Sequence, residues 1–232
     1  MTTRSGISAR SYPLSNALKP MVATAVEYSA TKGDAQSVID TIDDFASHYH
    51  RIMIIGDDKG GKIDKVLKEH KPKIMYELGC FVGYSAVRFG AIIREWGGKF
   101  YSFEVDEQSV EVSRKIVEHA GLSDTVEIIH GGFDSAIKPF LENHPDHTGK
   151  VDAVFIDHWK DLYVPDMQLI ESLNLLHPGS VVLADNVIRP GAPEYIEYMD
   201  SQSDKYTSEM LEYKPAGSSE VVDAVLVNIL KQ

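Results

Sequence analysis

The feature that most restricts how this chain can fold is a change of hydrophobic period that repeats between residues 73 and 186. Five short β-prone runs, "KIMYELG" (73–79), "KFYSFEV" (99–105), "TVEIIHG" (125–131), "VDAVFID" (151–157) and "SVVLADN" (180–186), are each followed by a stretch with helical spacing. Strand and helix in strict alternation demand crossover connections, and crossovers give a parallel sheet covered on both faces. The last fifty residues differ. "TSEMLEYKP" and "EVVDAVLVNIL" are separated only by "AGSS", too short for a crossover, so they predict an antiparallel hairpin at one sheet edge. The expected fold is an α/β doubly wound sheet, mostly parallel, with that C-terminal hairpin added.

Upstream of the first strand, Val38, Ile42, Phe45 and Tyr49 recur at three- and four-residue spacing and predict an amphipathic helix, with a second over roughly 61–70. Residues 1–32 show little periodicity until "LSNALKPMVATAVEYSA" and read as an arm, with room for a short helix, packing on the domain or on a neighbouring subunit. Pro20 is expected to break any helix that spans it. The division is therefore an N-terminal arm, 1–32, and one domain, 33–232, since a 232-residue chain with 43% hydrophobic composition can bury one α/β core. A formal charge of -12 opposes binding to nucleic acid or to an anionic membrane surface and favours a small-molecule partner. The single cysteine, Cys80, rules out an internal disulfide and suits a reducing compartment. The first twenty residues hold no apolar signal core and no long apolar run follows, so the expectation is a cytoplasmic protein.

In a doubly wound sheet, ligands sit at the carboxyl ends of the strands, near the point where strand order reverses. Those ends carry Glu77, Gly79, Glu104, Asp157, Asp185 and Asn186. The turn "ELGCFVGYS" has Gly79 and Gly83 but lacks the third glycine of a dinucleotide fingerprint. The Glu77 carboxylate would repel a pyrophosphate and attract an ammonium or sulfonium group, which points to S-adenosylmethionine. Glu104 is placed to accept hydrogen bonds from ribose hydroxyls. Set against this is a bare strand-to-helix turn that needs glycine for close packing. Cys80 reads as a small buried residue rather than a nucleophile.

Asp157 and the pair Asp185, Asn186 fall at the tips of two strands expected to be neighbours. Two carboxylates and an amide oxygen form a hard-oxygen set that suits Mg2+. The competing reading makes the aspartates helix N-caps, and for Asp161 that reading is preferred. Lys160, three residues beyond Asp157, is expected to lose basicity beside positive charge and to act as a general base. Trp159 is read as an apolar wall for a ring and His158 as a contact to adenine.

Taken together, "GDAQSVIDTIDDFA", "IGDDKGGKIDKVL", "ELGCFVGYSAVR", "SFEVD", "VDAVFIDHWKDLYVPD", "LLHPGSVVLADNVIRPGAPEY" and "MLEY" resemble the catechol O-methyltransferase family from about residue 33 onward. The resemblance implies a seven-stranded, Rossmann-like class I methyltransferase fold acting on a catechol. It implies Mg2+ on Asp157, Asp185 and Asn186, and Lys160 as general base, with Glu212 accepting a hydrogen bond from the second substrate hydroxyl. For the donor it implies Met53, Ile55, Glu77, Gly79, Ser85, Glu104, Val105, Asp157 and His158. For the substrate it implies Trp159, Lys160, Asn186, Pro190 and Glu212. The chain departs from the family pattern at Arg51, Phe133, Arg189 and Lys214, and the two arginines predict a preference for diphenols bearing a carboxylate. The alternatives are a non-catalytic donor-binding protein, a nicotinamide-dependent oxidoreductase, and a methyltransferase acting on a coenzyme A ester; "DHWK" argues against the last. Oligomeric state is left open.

Overall fold

The structure is a computed structural model, and it describes residues 13–48, 52–214 and 220–232. Tyr49 and Arg51 lie outside the described residues. Three helices precede the sheet: α1 (Pro13–Ser29), α2 (Ala35–His48) and α3 (Gly56–His70). Strands and helices then alternate as β1 (Ile74–Leu78), α4 (Tyr84–Arg94), β2 (Lys99–Glu104), α5 (Glu107–His119), β3 (Val126–His130), α6 (Phe133–Asn143), β4 (Val151–Ile156), α7 (Tyr163–Ser172) and β5 (Leu176–Ala184). The chain ends with α8 (Pro193–Ser201), β6 (Tyr206–Tyr213) and β7 (Asp223–Leu230).

The seven strands are ordered β3-β2-β1-β4-β5-β7-β6. The first five pair in parallel, whereas β7 is antiparallel to both β5 and β6, as the short "AGSS" connection requires. Strand order reverses between β1 and β4, so their carboxyl ends open the crevice where a ligand is expected. The central strands alternate their side chains between two apolar layers. Met75, Ala153, Phe155, Val181 and Leu183 face one layer with α1 to α5, and Tyr76, Leu78, Val154, Ile156 and Val182 face the other with α6 to α8. Each fully buried side chain of this size contributes about 1.5–3 kcal/mol relative to exposure. Among the described residues no helix is long and apolar enough to cross a membrane.

Two local expectations are corrected. Pro20 does not interrupt α1, which runs through it as one helix. Pro20 is exposed, whereas Lys19, Val22 and Val26 are buried, and α1 packs on α2 and α5. Burial of that face outweighs the roughly 3 kcal/mol cost of an interior proline. Residues 13–29 pack on the domain, the first of the two placements expected for the arm, and enter its core through Val22 and Val26. Asp161, expected as a helix cap, is exposed inside a short turn, Lys160–Leu162. The α7 helix starts two residues later, with Leu162 at its N-cap position and no side-chain cap.

Candidate active site

Parallel register places the two acid-bearing strand tips side by side. Ile156 pairs with Ala184, so Asp157 and Asp185 follow at matched positions on adjacent strands, on the same side of the sheet. The backbone ladder continues through them, with Asp157 N–H donating to Leu78 O (2.9 Å) and Asp185 N–H donating to Ile156 O (3.0 Å). Burial, and then the neighbouring Asp185 carboxylate, push the Asp157 carboxyl up to about 7 against the opposing pull of Lys160 and Lys59. Two carboxylates brought to adjacent strand tips in this way are a donor set suited to a cation.

Asn186 stands beside them in the left-handed conformation (φ 56°), which asparagine tolerates better than most residues. Its side-chain Nδ2 donates to Asp223 Oδ2 (2.7 Å), and its Oδ1 lies 3.4 Å from Lys160 Nζ. The Lys160 ammonium is also 3.6 Å from Asp157 Oδ1 and 3.3 Å from the Asp185 carbonyl, and it donates to the Tyr163 hydroxyl. Burial draws the Lys160 pKa below its ordinary value, partly offset by Asp157 and Asp185. Lys160 Nζ therefore lies within 3.6 Å of Asp157 Oδ1, the Asn186 amide oxygen and the Asp185 main-chain carbonyl, while the Asp185 carboxylate on the neighbouring strand tip is engaged by Lys59. Among the described residues no cluster of three His, Cys, Asp or Glu able to hold a metal is present; the oxygen donors here are two carboxylates and an amide.

Two residues that sequence reasoning did not assign complete this corner. Lys59, on the first turns of α3, donates to both Asp185 oxygens (2.8 and 2.9 Å) and to Asp223 Oδ2 (3.0 Å). Although burial opposes it, the Asp185 and Asp223 carboxylates hold the Lys59 ammonium above its ordinary pKa. Asp223, the first residue of β7, resists burial through Lys59, the Arg189 N–H (3.0 Å to Oδ1) and Asn186, and its pKa falls below the usual carboxylate range. A signal for Asp223 was present: a lone carboxylate in the apolar run "VVDAVLVNIL" needs a buried partner.

On the other side of the crevice, Gly79 adopts φ +95°, and a Cβ there would lie 2.8 Å from the Asp157 carbonyl oxygen and 3.0 Å from His158 Cα. The turn after β1 and the end of β4 thus touch backbone to backbone. Glu104 Oε2 accepts the amides of Cys80 and Phe81 (2.9 Å each) and Oε1 that of Asp106 (2.9 Å), which ties the turn after β1 to the turn after β2. Glu77 has no exposed surface; it accepts the Ser85 and Ser102 hydroxyls, and burial pushes its carboxyl up to about 8. Direct contact between Glu77 and a ligand would require those hydroxyls to yield. Cys80 is buried, with its thiol against the Ser113 hydroxyl at 3.3 Å.

The remaining candidates form the rim. Met53 and Val105 are large apolar side chains left half exposed, while Ile55 is buried at the head of α3. His158 is mostly buried and its Nε2 engages Asp166 Oδ2 at 2.6 Å, leaving Nδ1 buried without a hydrogen-bond partner. An orphaned ring nitrogen costs about 1–3 kcal/mol, and a ligand entering from the β4 end would relieve it. Trp159 is half buried and Pro190 exposed, the latter in a single irregular turn, Val187–Gly191, after Asn186. Glu212, on edge strand β6, is about half exposed and paired with Lys214 (2.7 Å). Phe133 is buried edge-on to Phe103 (5.1 Å between centroids). Beside the cluster, Ile54, Lys59, Arg189, Tyr213 and Asp223 help to line a cavity of about 370 Å³.

A sheet of this order with its polar groups gathered at the β1/β4 ends defines a small-molecule transferase of the methyltransferase type, and a family model described as O-methyltransferase matches residues 27–224. The catechol O-methyltransferase B of Danio rerio is 40% identical over 195 residues, spanning 83% of this chain and 73% of that protein. The catechol O-methyltransferase of Bos taurus is 39% identical over 199 residues, spanning 84% and 70%. Among solved structures, the O-methyltransferase from Bacillus cereus in complex with SAH shares the fold with a TM-score of 0.66 at 17% identity, over 93% of this chain and 99% of that one. The O-methyltransferase TomG from Streptomyces achromogenes in complex with SAM gives 0.66 at 18% identity, over 92% and 96%. The chain belongs to the catechol O-methyltransferase family.

Proposed function

We propose that the protein transfers a methyl group from S-adenosylmethionine to one hydroxyl of a catechol, with Mg2+ held by Asp157, Asp185 and the Asn186 amide oxygen. The observation that carries this reading is that Asp157 Oδ1 and the Asn186 amide oxygen both lie within 3.6 Å of Lys160 Nζ, with Asp185 at the matched position on the adjacent strand tip, in a chain about two-fifths identical to catechol O-methyltransferases. The donor would lie across the turns after β1 and β2, between Met53 and Val105, with its adenine toward His158. Asp157, Asp185 and the Asn186 amide oxygen would hold the ion, whose chemistry there would be Lewis acidity that makes a nearby hydroxyl easier to deprotonate.

Lys160 takes the hydroxyl proton, for which its burial leaves it better suited than a surface lysine. The phenolate oxygen then forms the new O–C bond as the S–C bond of the sulfonium breaks in line, and the donor leaves as a neutral thioether. Charge is cancelled rather than created, so alignment dominates catalysis; prearranged reactants contribute roughly 7–11 kcal/mol. Trp159 and Pro190 would flank the ring, and Glu212 would accept the second hydroxyl once it turns from Lys214.

Incubation with methyl-labelled donor and catechol tests the reading. Label should pass to catechol with Mg2+ and stop in chelator, and Lys160→Met should lower kcat by about 10²–10⁴-fold with donor affinity retained. Transfer indifferent to chelator removes the cation from the scheme, and a Lys160→Met enzyme of parental rate removes the base.

A further inference from the structure

We propose that Asp223 is a positioning residue that fixes which end of the Asn186 amide faces the cation site, with Lys59 bridging it to Asp185. The inference rests on the cation reading above and deepens it. An ionised carboxylate only accepts hydrogen bonds, so Asp223 Oδ2, 2.7 Å from the Asn186 side chain, must be met by the amide nitrogen. The amide oxygen is thereby turned to the opposite side, where Lys160 and Asp157 stand. Without this partner only the longer Lys160 contact, 3.4 Å, still favours that orientation, and an amide turned by half a turn would present N–H donors to a cation.

The same Asp223 oxygen accepts Lys59 Nζ at 3.0 Å, and Lys59 continues to both oxygens of Asp185. One ammonium therefore holds a strand-tip carboxylate from β5 and the orienting carboxylate from β7 at a common distance. The other Asp223 oxygen accepts the Arg189 N–H, anchoring the turn that follows Asn186. Lys59 and Asp223 are 12% and 9% exposed at their side chains, so neither contact is a solvent-screened surface pairing.

The geometry separates amide orientation from charge. Lys59 and Asn186 both use Oδ2 of Asp223, whereas Arg189 uses Oδ1. In Asp223→Asn the new amide oxygen can occupy the Oδ2 position and still accept from Asn186 and Lys59, although the charge is gone and the new NH2 faces the Arg189 N–H, which loses its acceptor. Asp223→Ala removes orientation and charge together. Partners of this kind, one shell behind a metal ligand, change metal affinity by about 10–100-fold.

The test is calorimetric titration of Mg2+ into the full chain, with S-adenosylmethionine affinity measured on the same samples. The parent should bind Mg2+, Asp223→Ala should bind it at least about 10-fold more weakly, and Asp223→Asn should bind it more tightly than Asp223→Ala. Donor affinity should be shared by all three. If Asp223→Ala does not fold, Asp223→Ser, too short to span both partners, takes its place under the same thresholds. A parent that binds no Mg2+ overturns the cation reading and this inference together. A parent that binds Mg2+, with Asp223→Ala equal to it, overturns the positioning role alone. Asp223→Asn as weak as Asp223→Ala assigns the effect to charge or to the Arg189 contact rather than to amide orientation, and likewise overturns it.

Discussion

Gly79→Ala should damage this protein at two levels, and the structure sets the size of each. Gly79 sits at φ +95°, in the left-handed half of conformational space, where a Cβ costs about 1–2 kcal/mol. That Cβ would also meet the Asp157 carbonyl at 2.8 Å and His158 Cα at 3.0 Å, and both are backbone rather than the yielding end of a side chain. Overpacking of this kind costs about 1–3 kcal/mol. The combined loss is about 2–5 kcal/mol, or roughly 4–20 °C in Tm for a chain of this size. Gly97→Ala is the internal control, because Gly97 has φ +73° but a Cβ there meets nothing within 4 Å; it should lose only the strain, about 2–8 °C. To regain ordinary contact the Asp157 carbonyl must move from 2.8 Å to at least 3.4 Å, which shifts the residues bearing Asp157 and His158. Misplacement on this scale lowers kcat/KM by about 10–100-fold, an effect Gly97→Ala should not share. Thermal melts and methyl-transfer kinetics on the two variants decide the matter. Equal melting losses and equal activities would refute the claim that Gly79 is required by backbone contact.

Lys19→Met should expose how far α1 supports the donor side of the crevice. Lys19 Nζ donates to Asp106 Oδ1 at 2.7 Å and lies 5.6 Å above the Phe81 ring, touching the turns after both β2 and β1. Loss of a charged hydrogen bond of this kind costs about 1.5–3 kcal/mol, or roughly 3–12 °C in Tm. Burial raises the Asp106 pKa, but Lys19 and the Ser109 amide outweigh it and hold the pKa below 3.8. A depressed carboxylate stabilises above its unfolded pKa, and the contribution disappears as pH falls through the folded value. The gap between parent and Lys19→Met should thus be full at neutral pH and shrink below 3.8; an equal gap at both ends of a pH series of chemical denaturation curves refutes the pairing. Arg189, on the cavity wall with Tyr213, should favour catechols bearing a carboxylate over amine-bearing ones. That ratio of kcat/KM should fall several-fold in Arg189→Leu, and a preference of the parent for the amine would refute the assignment.

What could be read from the sequence and what could not differ by the range of the interactions involved. The strands were legible because period-two alternation is local, and the hairpin because "AGSS" is too short to cross a sheet. The strand-tip acids followed from the parallel sheet alone, since such a sheet collects the residue after each strand on one edge. The path of α1 was not legible: Pro20 opposes a helix locally, and only burial of Val22 and Val26 against distant helices overrides it. Asp161 failed as a cap for a similar reason, because an extra short turn moves the start of α7 past it. Lys59 stands 126 residues from Asp185 and 164 from Asp223, so no local pattern connects them.

The charges at the strand tips say where the proposed cation would be favoured, which the formal charge of the whole chain does not. Asp157, Asp185 and Asp223 face Lys59 and Lys160, so with both lysines protonated one formal negative charge remains in a largely buried pocket. Lys59 is committed to Asp185 and Asp223 at 2.8–3.0 Å, while Lys160 approaches Asp157 only to 3.6 Å. The uncompensated charge therefore resides on the Asp157 side, next to the Asn186 oxygen, and the Asp157 carboxyl is the one raised to about 7. Lys160 can then lose or regain a proton without disturbing the other pair, because a second lysine holds the scaffold. A site with one lysine would have to use the same ammonium for structure and for proton transfer; in the proposed mechanism the pairing of Lys59 with Asp185 and Asp223 would leave Lys160 free to serve as the base.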